Sequence, residues 1–407
     1  KNLIKDYIKN INRSNIDIVE VGFRFLKKNK FGPFANLKEN LINSLLFKKN
    51  LKLGVMINSS DFDENLDYKK QINNFFLKKK NTKISLIRIA THLKDIKRII
   101  PRIIYLKKLG YEIAINLMQI DKIKNNDLIQ VLKLLKKTNS VNVFYFADSF
   151  GNLNPQNVQS ICKVIKKNWN KDFGFHAHDN CGLALQNCIS AINNGAKWID
   201  STIQGMGRGA GNVTTEDLIC YITEKYETNY KPKSIYFLAE TIFKKLKVKF
   251  GWGRSIYYHL SAKNNIHPSY IQELLVDRRH SHNEIIEMID ELSKIKSTSY
   301  NSSTIDALIN EKIILKNNWN AKNWCSQKNV LIVGQGKSVN TYKEKIFEFI
   351  KKNRCKVLSL NINSYLEKKF IDFYVACHKT RVIVDFYKYP SISKKLILPL
   401  DRFKNII

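Results

Sequence analysis

Seven short apolar runs, each with β-branched or aromatic residues, alternate with amphipathic stretches over the first 225 residues, and that alternation leaves few folds open. The runs lie at 16–23, 51–57, 84–90, 111–117, 141–147, 172–176 and 198–203. Segments with helical spacing stand between them, at 96–109, 127–137, 155–168 and 182–194. Strict alternation of strand and helix implies an α/β fold with a parallel sheet and helices outside it. Seven strands is one short of a closed TIM (β/α)8-type barrel. The chain opens with Lys1 rather than Met, inside a helical stretch at 3–12. The reading therefore places a first strand upstream of Lys1 and takes the chain as a fragment of a longer one.

Residues 1–225 are read as the barrel domain. From 226 to 325 the strand signal fades into a helical extension with segments at 234–248, 269–275, 284–295 and 304–315. Gly251-Trp252-Gly253 and Ile266-His267-Pro268 interrupt it, and 297–303 has the composition of a linker. A third module, 326–407, begins with a strand at 329–333, a loop Gly334-Gln335-Gly336-Lys337-Ser338, a helix at 342–352 and a strand at 356–360. This β-loop-α-β unit is of Rossmann type, and its shortness fits a truncated domain. Gly334, Gly336 and Ser338 suit a nucleotide or nucleotide-sugar phosphate at a helix N-terminus. They suit a tight strand-to-helix turn equally, since the longer glycine fingerprint is incomplete.

Composition narrows the classes. A chain of 407 residues, 44% hydrophobic, can build two or three cores. No apolar run approaches the roughly 18 residues that span a bilayer. The net charge of +34 raises a nucleic-acid reading, but the 69 basic residues divide into 57 Lys and 12 Arg spread along the chain. Phosphate-binding footprints cluster, so the charge reads as compositional drift, with solvated runs such as Lys78-Lys79-Lys80. Seven Cys without a C-x-x-C pair point to reduced thiols and a cytoplasmic protein.

The strand ends are unusually polar: Glu20 and Arg24, Arg88 and His92, Asn116 with Gln119, Asp148-Ser149, His176 with His178, and Asp200. In β/α barrels the active site is built at the carboxyl ends of the strands. His176-Ala177-His178 ends a strand, where side chains two apart face one way and two imidazoles share one ion. Downstream, Gly205-Met206-Gly207-Arg208-Gly209-Ala210-Gly211-Asn212 offers an amide oxygen at Asn212, which is read as a third ligand or as a turn residue. Asp148 is read either as a helix cap or as a substrate contact. Arg88 and Arg24 are read as carboxylate binders or as paired residues filling the barrel. Cys181, beside the histidines, is a conceivable ligand and equally a small packing residue.

On these motifs the barrel resembles the HMG-CoA lyase-like (DRE-TIM) metallolyases, whose members include aldolases, lyases and Claisen-type synthases. The resemblance implies that His176, His178 and Asn212 hold a divalent ion, Mn²⁺ or Mg²⁺ with Zn²⁺ or Co²⁺ as alternatives. It also implies an Asp and a catalytic Arg on strand one, from a segment this chain does not contain. Arg88-Ile89-Ala90-Thr91-His92 and Asp148-Ser149-Phe150-Gly151 are similar to segments of the 4-hydroxy-2-oxo acid aldolases, the group of 4-hydroxy-2-oxovalerate aldolase. That likeness implies a carbon–carbon lyase working through a pyruvate enolate. Ser149, Asp148 and Arg88 would then contact the substrate. Glu20 would orient the strand-one Arg, and Arg24 would be a further catalytic candidate. The third module is similar to Rossmann-like domains of bacterial surface-polysaccharide proteins, which implies a sugar-related aldehyde.

The partners expected are a small 2-oxo acid and an aldehyde, with no membrane. A homodimer or a partner subunit would engage the helical extension. The competing readings are an acyltransferase condensing acetyl-CoA with a 2-oxo acid, identified by release of CoA thiol, and a non-catalytic barrel that binds a partner. Nucleic-acid binding is the weakest reading, with a steep salt dependence as its mark.

Overall fold

The computed structural model describes residues 2–26, 31–276, 282–294, 329–363 and 365–376, with isolated positions 300, 323, 325, 326, 378, 381, 382, 385, 388 and 395–398. The helix expected at 304–315 lies outside the described residues. The chain divides into two compact units, Lys1–Lys263 and Asn264–Ile407.

In the first unit the strands are β1 (Ile18–Phe23), β2 (Lys52–Asn58), β3 (Ile84–Thr91), β4 (Glu112–Leu117), β5 (Val143–Asp148), β6 (Phe173–Ala177) and β7 (Trp198–Ile199). They form one parallel sheet in consecutive order, with β1 and β7 at its edges. The sheet curls, because Arg88 on β3 reaches both Glu20 on β1 and Asp200 just past β7. The expected α/β barrel architecture is therefore present as a seven-stranded half-barrel. The last strand is shorter than its expected span of 198–203, because the chain turns after Asp200 to pair Thr202 with Thr214.

Period-two alternation divides the strand side chains into two layers. Leu53, Val55, Ile57, Ile87, Ile89, Ile113, Ile115, Phe144, Phe146 and Phe175 face the helices in the main core. Leu86, Ala114, Val143 and Tyr145, with Ile18 and Trp198, make a smaller cluster on the concave side.

The surrounding helices include α1 (Asn2–Ser14), α2 (Glu39–Ser44), α3 (Tyr68–Phe75), α4 (Ile96–Lys108), α5 (Asn125–Thr138), α6 (Pro155–Asn168), α7 (Ala184–Asn193) and α8 (Thr215–Lys225). The start of α6 shows how local sequence writes a helix. The Asn154 side chain accepts from the Asn157 amide at 2.8 Å, Asn157 returns the contact at 3.2 Å, and Pro155 occupies the first turn. Its buried face is Val158, Cys162 and Ile165, and burial of each aliphatic side chain contributes about 2 kcal/mol. Beyond α8, α9 (Lys233–Leu238) runs through a π-helical turn, Ala239–Phe243, into α10 (Lys244–Phe250), and α11 (Ile256–Lys263) follows. The Phe243 ring stands 6.1 Å from that of Tyr7 on α1. The helices from 226 to 263 thus belong to the first compact unit, past the boundary expected at 225.

The second unit contains α12 (Pro268–Val276), α13 (His282–Lys294) and a parallel sheet of β8 (Val330–Val333), β9 (Lys356–Leu360), β10 (Phe373–Val375) and β11 (Lys395–Ile397). Its core gathers Val333, Val339, Ile350, Val357, Ile371 and Tyr374. The strand order is consecutive, β8 to β11. A Rossmann fold instead reverses its order beside the first strand, and the crevice formed there binds the ligand. No helix among the described residues is long and apolar enough to cross a membrane.

Candidate active site

A polar tier stands on the concave inner layer of the first unit. Each member follows an inner apolar residue by two positions: Glu20 after Ile18, Arg88 after Leu86, Asn116 after Ala114, Tyr145 after Val143 and Asp200 after Trp198. Arg88, 6% exposed, is the centre of the tier. Its Nε lies 2.9 Å from Glu20 Oε2, and its Nη1 donates to Asp200 Oδ2. Its guanidinium also lies 5.2 Å from the centre of the Tyr145 ring.

Electrostatics follow from this packing. Burial pushes the Asp200 carboxyl up, but the Arg88 charge and the hydrogen bond from His176 overcome it and hold it at about 2. Burial raises the Glu20 carboxyl, against the pull of Arg88. The Tyr145 phenol is raised by burial and by the neighbouring Asp200 carboxylate, to which it donates.

The two histidines sit above this tier. Their ring centroids are 4.9 Å apart and their planes nearly perpendicular at 85°. His176 Nδ1 lies 2.8 Å from Asp200 Oδ2, and His178 Nδ1 lies 2.9 Å from the backbone oxygen of Asp148. Both partners only accept, so each Nδ1 carries a proton, and in the neutral tautomer the ring's lone pair would lie on Nε2.

The loop 205–212 brings Asn212 alongside. His178 and Asn212 form an antiparallel bridge, and Asp179 N donates to Gly211 O at 2.9 Å. Asn212 Nδ2 donates to Met206 O at 3.2 Å, while its buried Oδ1 has no hydrogen-bond partner among the described residues. Gly211 has φ +85°, and a Cβ there would run into the backbone oxygen of Gly205. Only glycine lets this loop fold back so tightly.

Two imidazole nitrogens and an orphaned amide oxygen suit a divalent first-row ion. Among the described residues, no group of three or more His, Cys, Asp or Glu side chains is placed to hold a metal. Cys181 therefore joins no such group. Burial pushes its thiol up.

The other expected residues divide. Ser149 Oγ accepts from Gln119 N at 2.8 Å, which leaves its own hydrogen available to an acceptor. The Asp148 carboxylate is fully buried and accepts from Asn152 N and Leu153 N, both at 3.1 Å. It caps the loop that carries Ser149 and does not face the mouth. Burial pushes that carboxyl up to about 7, although the two amides favour its charge.

Of the two readings of Arg24, the geometry favours the paired one. A bulge between Glu20 and Gly22 shifts the β1 register by one residue. A one-residue shift exchanges the faces of a strand. Arg24 therefore points to the helix side, where it pairs with Glu39 at 3.0 Å, donates to Phe75 O at 2.6 Å and lies over the Phe76 ring. It is 2% exposed and separate from the polar tier. Arg88, expected at the substrate, is likewise engaged by two carboxylates.

Three residues given no role in the sequence reading belong to the tier: Asp200 and Asn116, named there only as polar strand ends, and Tyr145. Asn116 is 3% exposed, and its Oδ1 has no hydrogen-bond partner among the described residues. Counting two from each inner apolar residue is the signal that finds them.

In the second unit the loop 334–338 has a different character. A Cβ at Gly334 would meet nothing within 4 Å, and one at Gly336 would meet only Ser338 Oγ at 3.5 Å. Asn363 Nδ2 donates to Gly334 O at 2.8 Å and Gln335 Nε2 to Ile362 O at 2.5 Å. The helix that follows, α14 (Lys337–Thr341), has five residues. This geometry gives no support to a phosphate cradle at Gly334, Gly336 and Ser338.

A family model described as HMGL-like matches residues 4–242. The 4-hydroxy-2-oxovalerate aldolase of Carboxydothermus hydrogenoformans is 33% identical over 158 residues, 39% of this chain and 47% of that one. That of Geobacillus genomosp. 3 is 35% identical over 144 residues, 35% of this chain and 42% of that one. The matched part thus spans less than half the length of these relatives. Among solved structures, the N-terminal domain of a candidate aldolase from Bacteroides vulgatus superposes with a TM-score of 0.59 at 30% identity, over 70% of this chain and 93% of that one. The HMG-CoA lyase of Bacillus subtilis gives a TM-score of 0.50 at 16% identity, over 61% of this chain and 88% of that one, a likeness of fold alone.

Proposed function

The chain belongs to the HMGL-like family, and on that premise we propose that its barrel is a divalent-metal-dependent aldolase acting on a 4-hydroxy-2-oxo acid. The observation that supports the reading is how the three residues spend their other polar atoms. His176 and His178 both spend Nδ1 on fixed acceptors, and Asn212 spends its amide nitrogen on Met206 O, leaving Oδ1 orphaned. A divalent ion held by His176, His178 and Asn212 would supply Lewis-acid polarisation of a 2-oxo acid.

The residues of the chain divide the remaining work. Asp200, kept charged by Arg88, orients His176 and holds its proton on Nδ1. Glu20 balances Arg88 from the other side. Ser149, its oxygen occupied by Gln119 N, is set to donate to a substrate carboxylate. Asn116 Oδ1 is an acceptor suited to the 4-hydroxyl group. In the cleavage direction the 4-hydroxyl loses its proton and the C3–C4 bond breaks. The aldehyde leaves, and the electron pair stays on the pyruvate enolate, which then takes a proton at C3.

Mn²⁺ and Mg²⁺ are the ions proposed. That the aldehyde is sugar-related is carried by the likeness of the second module alone. The test is solvent deuterium exchange into the methyl group of pyruvate, with Mn²⁺ added. We expect metal-dependent exchange that disappears in the His176→Ala, His178→Ala double variant. A folded, metal-loaded protein without exchange overturns the aldolase reading.

A further inference from the structure

The helices beyond the barrel touch the site at one place. Between α10 and α11 the chain crosses two of the loops that form the mouth. Trp252 Nε1 donates to Gln204 O at 3.0 Å, and Gly253 N donates to Gly209 O at 3.0 Å. Both acceptors lie at or inside the loop that ends in Asn212. The Trp252 ring is also the wall beside Gly211, 3.7 Å from where a Cβ would stand. The Tyr258 ring closes over Gly209, where a Cβ would lie 2.9 Å from it. On the other side, Arg254 covers Gly182, with Nη1 2.6 Å from a Cβ position there. Gly182 N donates to Asp179 O at 3.1 Å, and Asp179 directly follows His178. One short strap therefore holds both loops that carry donor residues.

We propose that residues 251–254 are a positioning strap, in which Trp252 and Arg254 lock the Asn212 loop against the His178 loop. The complete site is then a property of the whole unit Lys1–Lys263, not of the barrel strands alone. The physical reason lies in the loop itself. A glycine-rich loop has high backbone freedom. Asn212 N donates to Gly205 O and Gly211 N to Arg208 O, each at 3.1 Å. Fixing two of its carbonyl oxygens from outside removes that freedom, and a displacement of about 1 Å at a site of this kind costs on the order of a hundredfold. The link to a metal rests on the proposed function; the link to loop order does not.

The experiment uses the full chain with Trp252→Ala, Trp252→Phe and Arg254→Ala. Trp252→Phe keeps a smaller aromatic ring and removes the N–H donor, so it preserves the test if the alanine variant does not fold. Leu238→Ala on α9 is the control for general destabilisation. The first readout is hydrogen–deuterium exchange across 203–214 and 178–183 without added metal. We expect exchange in the first stretch to rise about tenfold or more in Trp252→Ala and less in Trp252→Phe. Arg254→Ala should act mainly on the second stretch, and Leu238→Ala should leave both stretches near wild type. The second readout is Mn²⁺ affinity by electron paramagnetic resonance, expected to fall about tenfold in Trp252→Ala, the range seen when groups that orient metal ligands are removed. Unchanged loop exchange in the folded Trp252 variants overturns the strap. An equal rise in Leu238→Ala overturns it too. If wild type takes no Mn²⁺ while the loop exchange responds as described, the strap stands and the metal reading falls.

Discussion

Two glycine-containing loops leave two parallel sheets in this chain, and they were built under opposite constraints. In the loop 205–212, Gly205, Gly209 and Gly211 all have positive φ, and a side chain at Gly211 would strike backbone. In the loop 334–338, neither glycine has positive φ and neither is crowded. The first loop ends in an amide oxygen without a partner. In the second, Gly334 O and the Gln335 side chain are spoken for by Asn363 and Ile362. Glycine content alone does not mark a site. A backbone that no other residue could follow, ending in an unsatisfied donor or acceptor, does.

The contrast extends to charge, where the largest effect is expected. Arg88→Met would strand Glu20 and Asp200 inside the half-barrel, at a cost of about 3–5 kcal/mol in unfolding free energy. In the second unit Lys356 pairs with Asp372 at 2.8 Å, with both side chains more than 30% exposed. Lys356→Met should cost about 1 kcal/mol or less. Urea unfolding of both variants measures the difference, and equal losses would break the comparison.

The loops come next. Gly211→Ala should cost about 1–3 kcal/mol through strain at φ +85°, together with loss of Mn²⁺ binding. Gly336→Ala should be neutral to about 0.5 kcal/mol or slightly stabilising, since φ there is −66°. A Gly336 variant as damaging as Gly211→Ala would restore a special role to the second loop.

The pH dependence of the metal-free protein sharpens the picture of the first unit. Asp200, held at about 2 in the fold, contributes stability above its unfolded value near 4 and loses it as pH falls toward 2, about 2 kcal/mol in all. Asp148 has the opposite sign. Its carboxyl is raised to about 7, so its contribution is full below about 4 and is lost as pH rises through 7. Asp148→Asn should flatten the upper limb and Asp200→Asn the lower limb in thermal unfolding across pH. A limb that keeps its slope would refute that assignment. The smallest effect expected is for Ser338→Ala, within about 0.5 kcal/mol, with no change in Mn²⁺ affinity.

Much of the architecture was legible beforehand, for identifiable reasons. Strands and helices in the half-barrel answer to local periodicity, so β2 to β6 fall within two residues of their expected ends. The His-x-His pair was legible because side chains two apart on an extended chain face one way. Asp200 as the partner of His176 was not legible, because 24 positions separate them and the register in which β6 pairs with β7 sets them side by side. Gly251-Trp252-Gly253 was legible only as a break between helices: the contact of Trp252 with Gln204 spans 48 positions and joins two loops.

Arg24 and Arg88 mark the boundary between what the chain's pattern determines and what the fold decides. Both are arginines near the ends of apolar strands, and period-two counting cannot separate them. One residue of bulge in β1 turns Arg24 out toward Glu39, whereas Arg88, which follows a bulge in β3 between Ile84 and Leu86, faces Asp200 across the concave side. The sequence by itself determined the alternation, the layers and the paired imidazoles, because these depend on residues a few positions apart. Tertiary structure alone decided which arginine joins the site, which carboxylate orients which histidine, and what holds the glycine loop. Each of those depends on a register shift or on a contact between segments far apart in sequence, and neither is written in any short stretch of the chain.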